Sequence, residues 1–285
     1  MSEVAERHTA IPSEKNMLNE INLPHVLTVI FLSGLYTSLW GSFKDCPYEG
    51  FKKITFWRSV LFSFFIGLFF LWAEKFTNWG VSLSRLNTVQ LFFFVMGIER
   101  FLSELYKGFF RFEDQKKYFI PSRFTFFGRP VKSEWVRIPL GIVFVGITLA
   151  TSFLPGEITG FLGFLSVAYG AGLFVSLGGA YKDAPFEGFA PLKFQRSGFV
   201  LALMAPFFWS QGPVSLGVLI FMNGGLERFL VEYYKTYIKR NMSGKFRSDL
   251  KIFKKEKANR ERFHYAAWII IIWLVWEFIK IKKWF

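Results

Sequence analysis

The feature that most constrains this chain is a sequence written twice. Residues 34–59 read GLYTSLWGSFKDCPYEGFKKITFWRS and residues 172–197 read GLFVSLGGAYKDAPFEGFAPLKFQRS, identical at 14 of 26 positions with an offset of 138. A second echo follows in each case: GIERFLSELYK at 97–107 and GLERFLVEYYK at 225–235, identical at 8 of 11. Two blocks recurring in the same order predict an internal duplication, so the fold must be one that two like units can build.

Composition then selects the solvent. Of 285 residues, 52% are hydrophobic and 21% aromatic, alongside a net charge of +14. The two kinds are segregated, long apolar runs alternating with short charged loops, which is the pattern of a polytopic membrane protein. The basic excess is therefore read as lysine and arginine gathered on one side of a bilayer, with no nucleic-acid partner. The single cysteine, Cys46, excludes an intrachain disulfide and a cysteine zinc cluster, and Ala184 replaces it in the second repeat. Residues 1–23 are polar and lack a basic n-region ahead of an apolar core, so they do not read as a cleaved signal.

Candidate spans fall at 24–43, 56–73, 88–109, 138–154, 161–181, 198–210, 214–235 and 265–281. The expected fold class is all-α: a membrane bundle of about eight helices. Its units would be a polar segment 1–23, a first four-helix repeat 24–155 and a second 156–285. An even number of spans per repeat gives both the same orientation and predicts a pseudo-twofold axis along the membrane normal. Basic residues concentrate in the loops after spans 1, 3, 5 and 7, which places those loops in the cytoplasm of a cell's inner membrane. Small residues at Gly34, Ser38 and Gly41, and at Gly172, Ser176 and Gly179, predict close packing, either of spans 1 and 5 near the axis or of ordinary neighbouring helices. The basic 236–263 stretch reads either as an amphipathic segment on anionic headgroups or as a solvated loop. The aromatic 108–128 stretch reads as an interfacial loop.

Charged residues shared by the repeats are the candidate site. Lys44, Asp45 and Glu49, with Lys182, Asp183 and Glu187, fall at or just after the ends of spans 1 and 5; Arg58 and Arg196 open spans 2 and 6. Glu99, Arg100 and Glu104 recur as Glu227, Arg228 and Glu232 within spans 3 and 7. Glu99 lies 11 residues into its span, roughly 17 Å along a helix and inside the hydrocarbon, so it must face protein or water and be paired. Arg100 with Glu104, and Arg228 with Glu232, are four apart and able to pair along one helix. Glu99 then needs Lys44 or Arg58. An arginine near a helix start calls for an anion. For Arg58 and Arg196 that anion is either Glu99 and Glu227 or a bound phosphate, with Lys44 and Lys182 as further phosphate ligands. Asp45, Glu49, Asp183 and Glu187 are the candidate carboxylates for Mg²⁺ bridging to phosphate, the alternative being that they clamp neighbouring lysines. The three histidines have no ligand spacing, and no P-loop, G-x-S-x-G or G-x-G-x-x-G is present.

The run Lys182-Asp183-Ala184-Pro185-Phe186-Glu187-Gly188 resembles the second aspartate-rich loop of the aromatic (UbiA-type) prenyltransferases. That resemblance implies a helical membrane enzyme holding Mg²⁺-pyrophosphate at one membrane face. It covers about seven residues in each repeat. The spacing is one residue shorter, Phe51 and Phe189 stand in place of the final acid, and no N-D-x-x-D motif is present.

Charge gathered at one third of the spans, over mid-span residues that are mostly apolar, favours a ligand with its head at the surface and its tail in lipid. The expected function is binding of an anionic, phosphate-bearing lipid or substrate at the cytoplasmic face, extending to lipid- or prenyl-phosphate transfer. A transporter or channel gated by the charged clusters, and a structural membrane subunit, are the alternatives.

Overall fold

The computed structural model describes residues 22–76, 81–240, 246–247 and 251–282. The polar segment expected over 1–23 lies almost wholly outside them. The described chain is helical: α1 (Leu23–Glu49), α2 (Lys53–Phe76), α3 (Thr88–Leu105), α4 (Glu134–Ser152), α5 (Phe161–Glu187), α6 (Pro191–Trp209), α7 (Leu216–Glu227), α8 (Lys254–Asn259) and α9 (Glu261–Ile281). Two short antiparallel ladders pin the connections, β1 (Thr125–Phe126) with β2 (Arg129–Pro130) and β3 (Glu157–Ile158) with β4 (Val214–Ser215). Wide π turns continue α3 over Tyr106–Phe110 and α7 over Arg228–Glu232 and Tyr234–Ile238.

Among the described residues, five helical segments are long and apolar enough to cross a membrane: α1, α2, α4, α5 and Lys254–Ile281, which contains α8 and α9. Helices of this length and composition are those of a membrane protein. The other three runs differ for visible reasons. Helix α3 carries Glu99, Arg100 and Glu104; α6 opens on Lys193 and Arg196; α7 has 12 residues, a rise of about 18 Å.

Local chemistry sets the helix ends. Helix α3 begins in a capping box, Gln90 N donating to Asn87 Oδ1 at 2.9 Å and Asn87 N to Gln90 Oε1 at 3.1 Å. Helices α1 and α5 run past 43 and 181, so Lys44–Glu49 and Lys182–Glu187 form their last turns and are not loop residues. Pro47 and Pro185 do not stop them. The stops are Gly50 and Gly188, at φ 70° and 80°, whose amides return to Cys46 O and Ala184 O at 2.9 Å.

Packing is organised around α3 and α7. Thr88–Glu99 and, Ile220 apart, Gly217–Glu227 are buried, while α2, α4, α5, α6 and α9 turn Phe65, Ile142, Leu162, Leu203 and Ile269 outward. Side chains facing hydrocarbon gain nothing from being polar, so the outer helices can be apolar all round. The two central helices cross where neither has a side chain. A Cβ on Gly97 would collide with Phe221 O, and one on Gly225 with Phe93 O. Of the two contacts open to the glycines of spans 1 and 5, they make the one with a neighbouring helix. Gly34 lies against Ser59 and Val60 of α2, and Gly172 against Ser197 and Gly198 of α6. Each holds a helix to its own neighbour, and the 97/225 crossing joins the repeats.

The connection 111–133 touches both duplicated corners. Lys117 Nζ reaches Glu49 at 2.9 Å on one flank; Phe127 N donates to Tyr181 Oη at 3.3 Å on the other. The corners 44–59 and 182–197 therefore share one end of the bundle. At the other end, Gln90 Nε2 meets Gln211 O at 3.4 Å and β3 pairs with β4.

Candidate anion-binding face

Beneath the shared end, the buried charges of α3 and α7 are paired across the two helices. Arg228 Nη1 donates to Glu99 Oε2, and Arg100 Nη1 donates to Glu227 Oε2. Ser103 Oγ completes Glu99 at 2.6 Å and Ser197 Oγ completes Glu227 at 2.7 Å. Glu99 is fully buried. The pairing expected along single helices is thus replaced. Arg100 and Arg228 leave Glu104 and Glu232, which turn to Lys107 at 2.6 Å and to Lys44 and Lys235 at 3.2 Å each. The 97/225 crossing brings the two helices so close that each arginine reaches the opposite glutamate. Burying a charge in a medium of low polarity is tolerable only with such close, saturated pairing.

This leaves Arg58 and Arg196 without the carboxylates proposed for them. Arg58 stacks over the Tyr106 ring at 5.6 Å, and its buried Nε has no hydrogen-bond partner among the described residues. The Nε of Arg196 is in the same condition. Both stand five or six residues into a helix, on the flank of a corner that is otherwise well supplied with partners.

Around Arg58 the corner forms an open cleft of about 330 Å³. Lys52, Arg58, Arg111, Glu49 and Glu113 supply its charge, while Ile54, Phe62, Tyr106 and Phe112 supply apolar walls. The carboxylates are already engaged. Glu113 takes Lys117, Tyr118 Oη at 2.8 Å and Arg111 at 2.8 Å, and Lys117 also reaches Glu49. Burial alone would raise the Glu113 carboxyl, but the donors Lys117 and Tyr118, with Arg111, outweigh it and hold it below the usual range. Burial likewise opposes the charge on Lys117, and Glu113 and Glu49 more than restore it. Lys52 also lies 3.9 Å from Glu49, so the cleft's cation without an ion pair among the described residues is Arg58.

The second corner is simpler. Lys193 takes Glu187 at 2.7 Å, and Tyr169 Oη donates to Gln195 at 2.8 Å. Lys182 lies within electrostatic reach of Glu104 and Asp183 but forms no hydrogen bond or ion pair among the described residues. The Mg²⁺ role considered for Asp45, Glu49, Asp183 and Glu187 gains no converging ligand set: among the described residues no three His, Cys, Asp or Glu side chains gather, and lysines occupy Glu49 and Glu187.

Two sequence-level loops take part as scaffolding. Tyr118 bridges to Phe246, whose ring stacks on Tyr48 at 4.9 Å, and Phe253 N donates to Pro47 O at 2.8 Å. The described part of 236–263 therefore straps the end of α1, and Arg260 lies 4.7 Å over the Phe43 ring. Tyr106, Arg111, Glu113 and Lys117 were not singled out from the sequence. For Arg111, Glu113 and Lys117 the signal was the aromatic and charged composition of 108–128, which marks an interface and does not identify single residues; Tyr106 stands just before it, in the repeated block 97–107.

No protein-family model, curated protein or solved structure matches this chain.

Proposed function

We propose that the chain binds an anionic, phosphate-bearing lipid at the cytoplasmic face of the inner membrane, at the corners its duplication created. The observation that carries this reading is the pair Arg58 and Arg196, equivalent in the repeat and each left with a buried Nε that no group among the described residues accepts. A guanidinium in an apolar, aromatic-walled cleft seeks a planar anion, and a phosphate supplies one with bidentate geometry. The two repeats, on this reading, are four-helix units related by a pseudo-twofold axis along the membrane normal. The reciprocal pairs Arg100–Glu227 and Arg228–Glu99 support it, since exchanging equivalent residues turns one into the other.

Mass spectrometry of lipid retained after gentle solubilisation tests the reading. Anionic phospholipid should be enriched over its share of the membrane, and the Arg58→Gln/Arg196→Gln double variant should lose that enrichment. Retained lipid matching the bulk composition in both proteins would overturn it. The buried Arg–Glu pairs favour a second reading, a transporter in which they act as gates. Solute flux in liposomes that disappears in Glu99→Gln would favour that reading instead.

A further inference from the structure

The two repeats treat one helix face differently. On α1, Tyr36, Leu39 and Phe43 are 1%, 6% and 1% exposed, covered by α9 and by Phe229 and Tyr237. The equivalent residues of α5, Phe174, Leu177 and Tyr181, are 60%, 55% and 42% exposed. Helix α4, the counterpart of α9, does not cover them. It leans on the Tyr106–Phe110 turn, where Gly141 meets Phe109 and Phe110.

The charges at the head of that face differ in the same sense. Lys44 pairs with Glu232 and lies 5.2 Å from the Trp40 ring, which Arg228 also covers at 5.1 Å. In the second repeat Gly178 stands where Trp40 would be, and a Cβ there would meet nothing within 4 Å. Among the described residues Lys182 has no ion pair, and Glu104, the counterpart of Glu232, is taken by Lys107 at 2.6 Å. An apolar groove is thus topped by an ammonium with open space beside it.

We propose that this α5 face holds one anionic phospholipid, its phosphate on Lys182 in the space left by Gly178 and an acyl chain along Phe174, Leu177 and Tyr181. The choice of lipid over a further protein helix rests on charge: an unpaired lysine at the head of an apolar face complements a phosphate followed by a hydrocarbon tail. The inference deepens the lipid-binding reading above and depends on it.

The test uses the full chain in phosphatidylcholine vesicles carrying either diazirine-tailed phosphatidic acid or diazirine-tailed phosphatidylcholine, with labelled peptides mapped. Peptides of α5 should take the anionic probe in preference to the neutral one, while α2 and α9 show no such preference. Lys182→Gln should lower the α5 preference about five-fold, the effect of one basic group near the membrane surface. Gly178→Trp, which fills open space and leaves the charges in place, should lower it as well. Equal labelling by both probes at α5, a preference untouched by Lys182→Gln, or α5 peptides cross-linked to a second copy of the chain would overturn the proposal. If anionic lipid co-purifies but α5 shows no preference, only this site falls. If none co-purifies, the lipid-binding reading falls with it.

Discussion

Helices α1 and α5 descend from one sequence pattern and end up in different surroundings. The rings of α1 lie under α9, whereas those of α5 face outward. Lys44 is paired and Lys182 is not. The central helices, by contrast, treat each other alike: Gly97 with Gly225, and Arg100–Glu227 with Arg228–Glu99. Equivalent residues keep equivalent roles where the repeats bury each other and diverge where they meet their surroundings. The buried crossing admits few solutions, because a displaced helix would strand charges in the core. An outer face in lipid carries no such penalty and is free to vary.

The largest expected effect is at the crossing. Glu99→Ala strands Arg228 and should destabilise the protein by about 3–5 kcal/mol, with Glu227→Ala costing a similar amount through Arg100. Thermal unfolding in detergent reads both, and a large difference between the two would break the equivalence of the repeats at their centre. Next come the two faces. Leu39→Ala should cost about 2–5 kcal/mol, since a buried side chain leaves a cavity, while its counterpart Leu177→Ala should stay within about 0.5 kcal/mol. Equal losses would mean that α5 is covered in solution by something outside this chain.

A smaller contrast separates the lysines. Lys44→Met removes a charge-assisted hydrogen bond worth about 1.5–3 kcal/mol, an upper figure here because Glu232 keeps Lys235. Lys182→Met should leave the unfolding temperature unchanged. The gentlest probe is pH. The Glu113 carboxyl is held low, so its contribution is present above the ordinary carboxylate range and is lost as pH falls through its depressed value. Lys117 is held high, so its contribution is complete below the ordinary lysine value and is lost only as pH rises past it. Hydrogen exchange in 111–133 should therefore stay level from mildly acidic to mildly alkaline pH once corrected for intrinsic rates. It should quicken below about pH 4, where carboxylates protonate. Quickening near neutral pH would place the anchor on some other group.

Much of this was legible in the residues. The apolar helices and the need for Glu99 and Arg100 to be paired follow from composition and helical rise. The partners did not follow. A spacing of four allows Arg100 to meet Glu104 on one helix, and nothing along that helix reveals that Gly97 lets α7 approach closely enough to offer Glu227. The stripes at Gly34 and Gly172 are legible as close contacts but leave the partner open, since small residues state how near a helix comes and not which one. Spans 1 and 5, read as ending at 43 and 181, run on until Gly50 and Gly188 stop them. The bare face of α5 could not be read at all, because Phe174, Leu177 and Tyr181 are as apolar as their buried counterparts.

A charge swap at the crossing tests most directly how the repeats are joined. Glu99→Arg and Arg228→Glu are made singly and together, and unfolding temperature is followed in detergent. Each single change should be strongly destabilising, and the double variant should recover most of the loss, because the pair then exists with its signs exchanged. A double variant as unstable as the sum of the two single changes would mean that Arg228 and Glu99 do not hold each other.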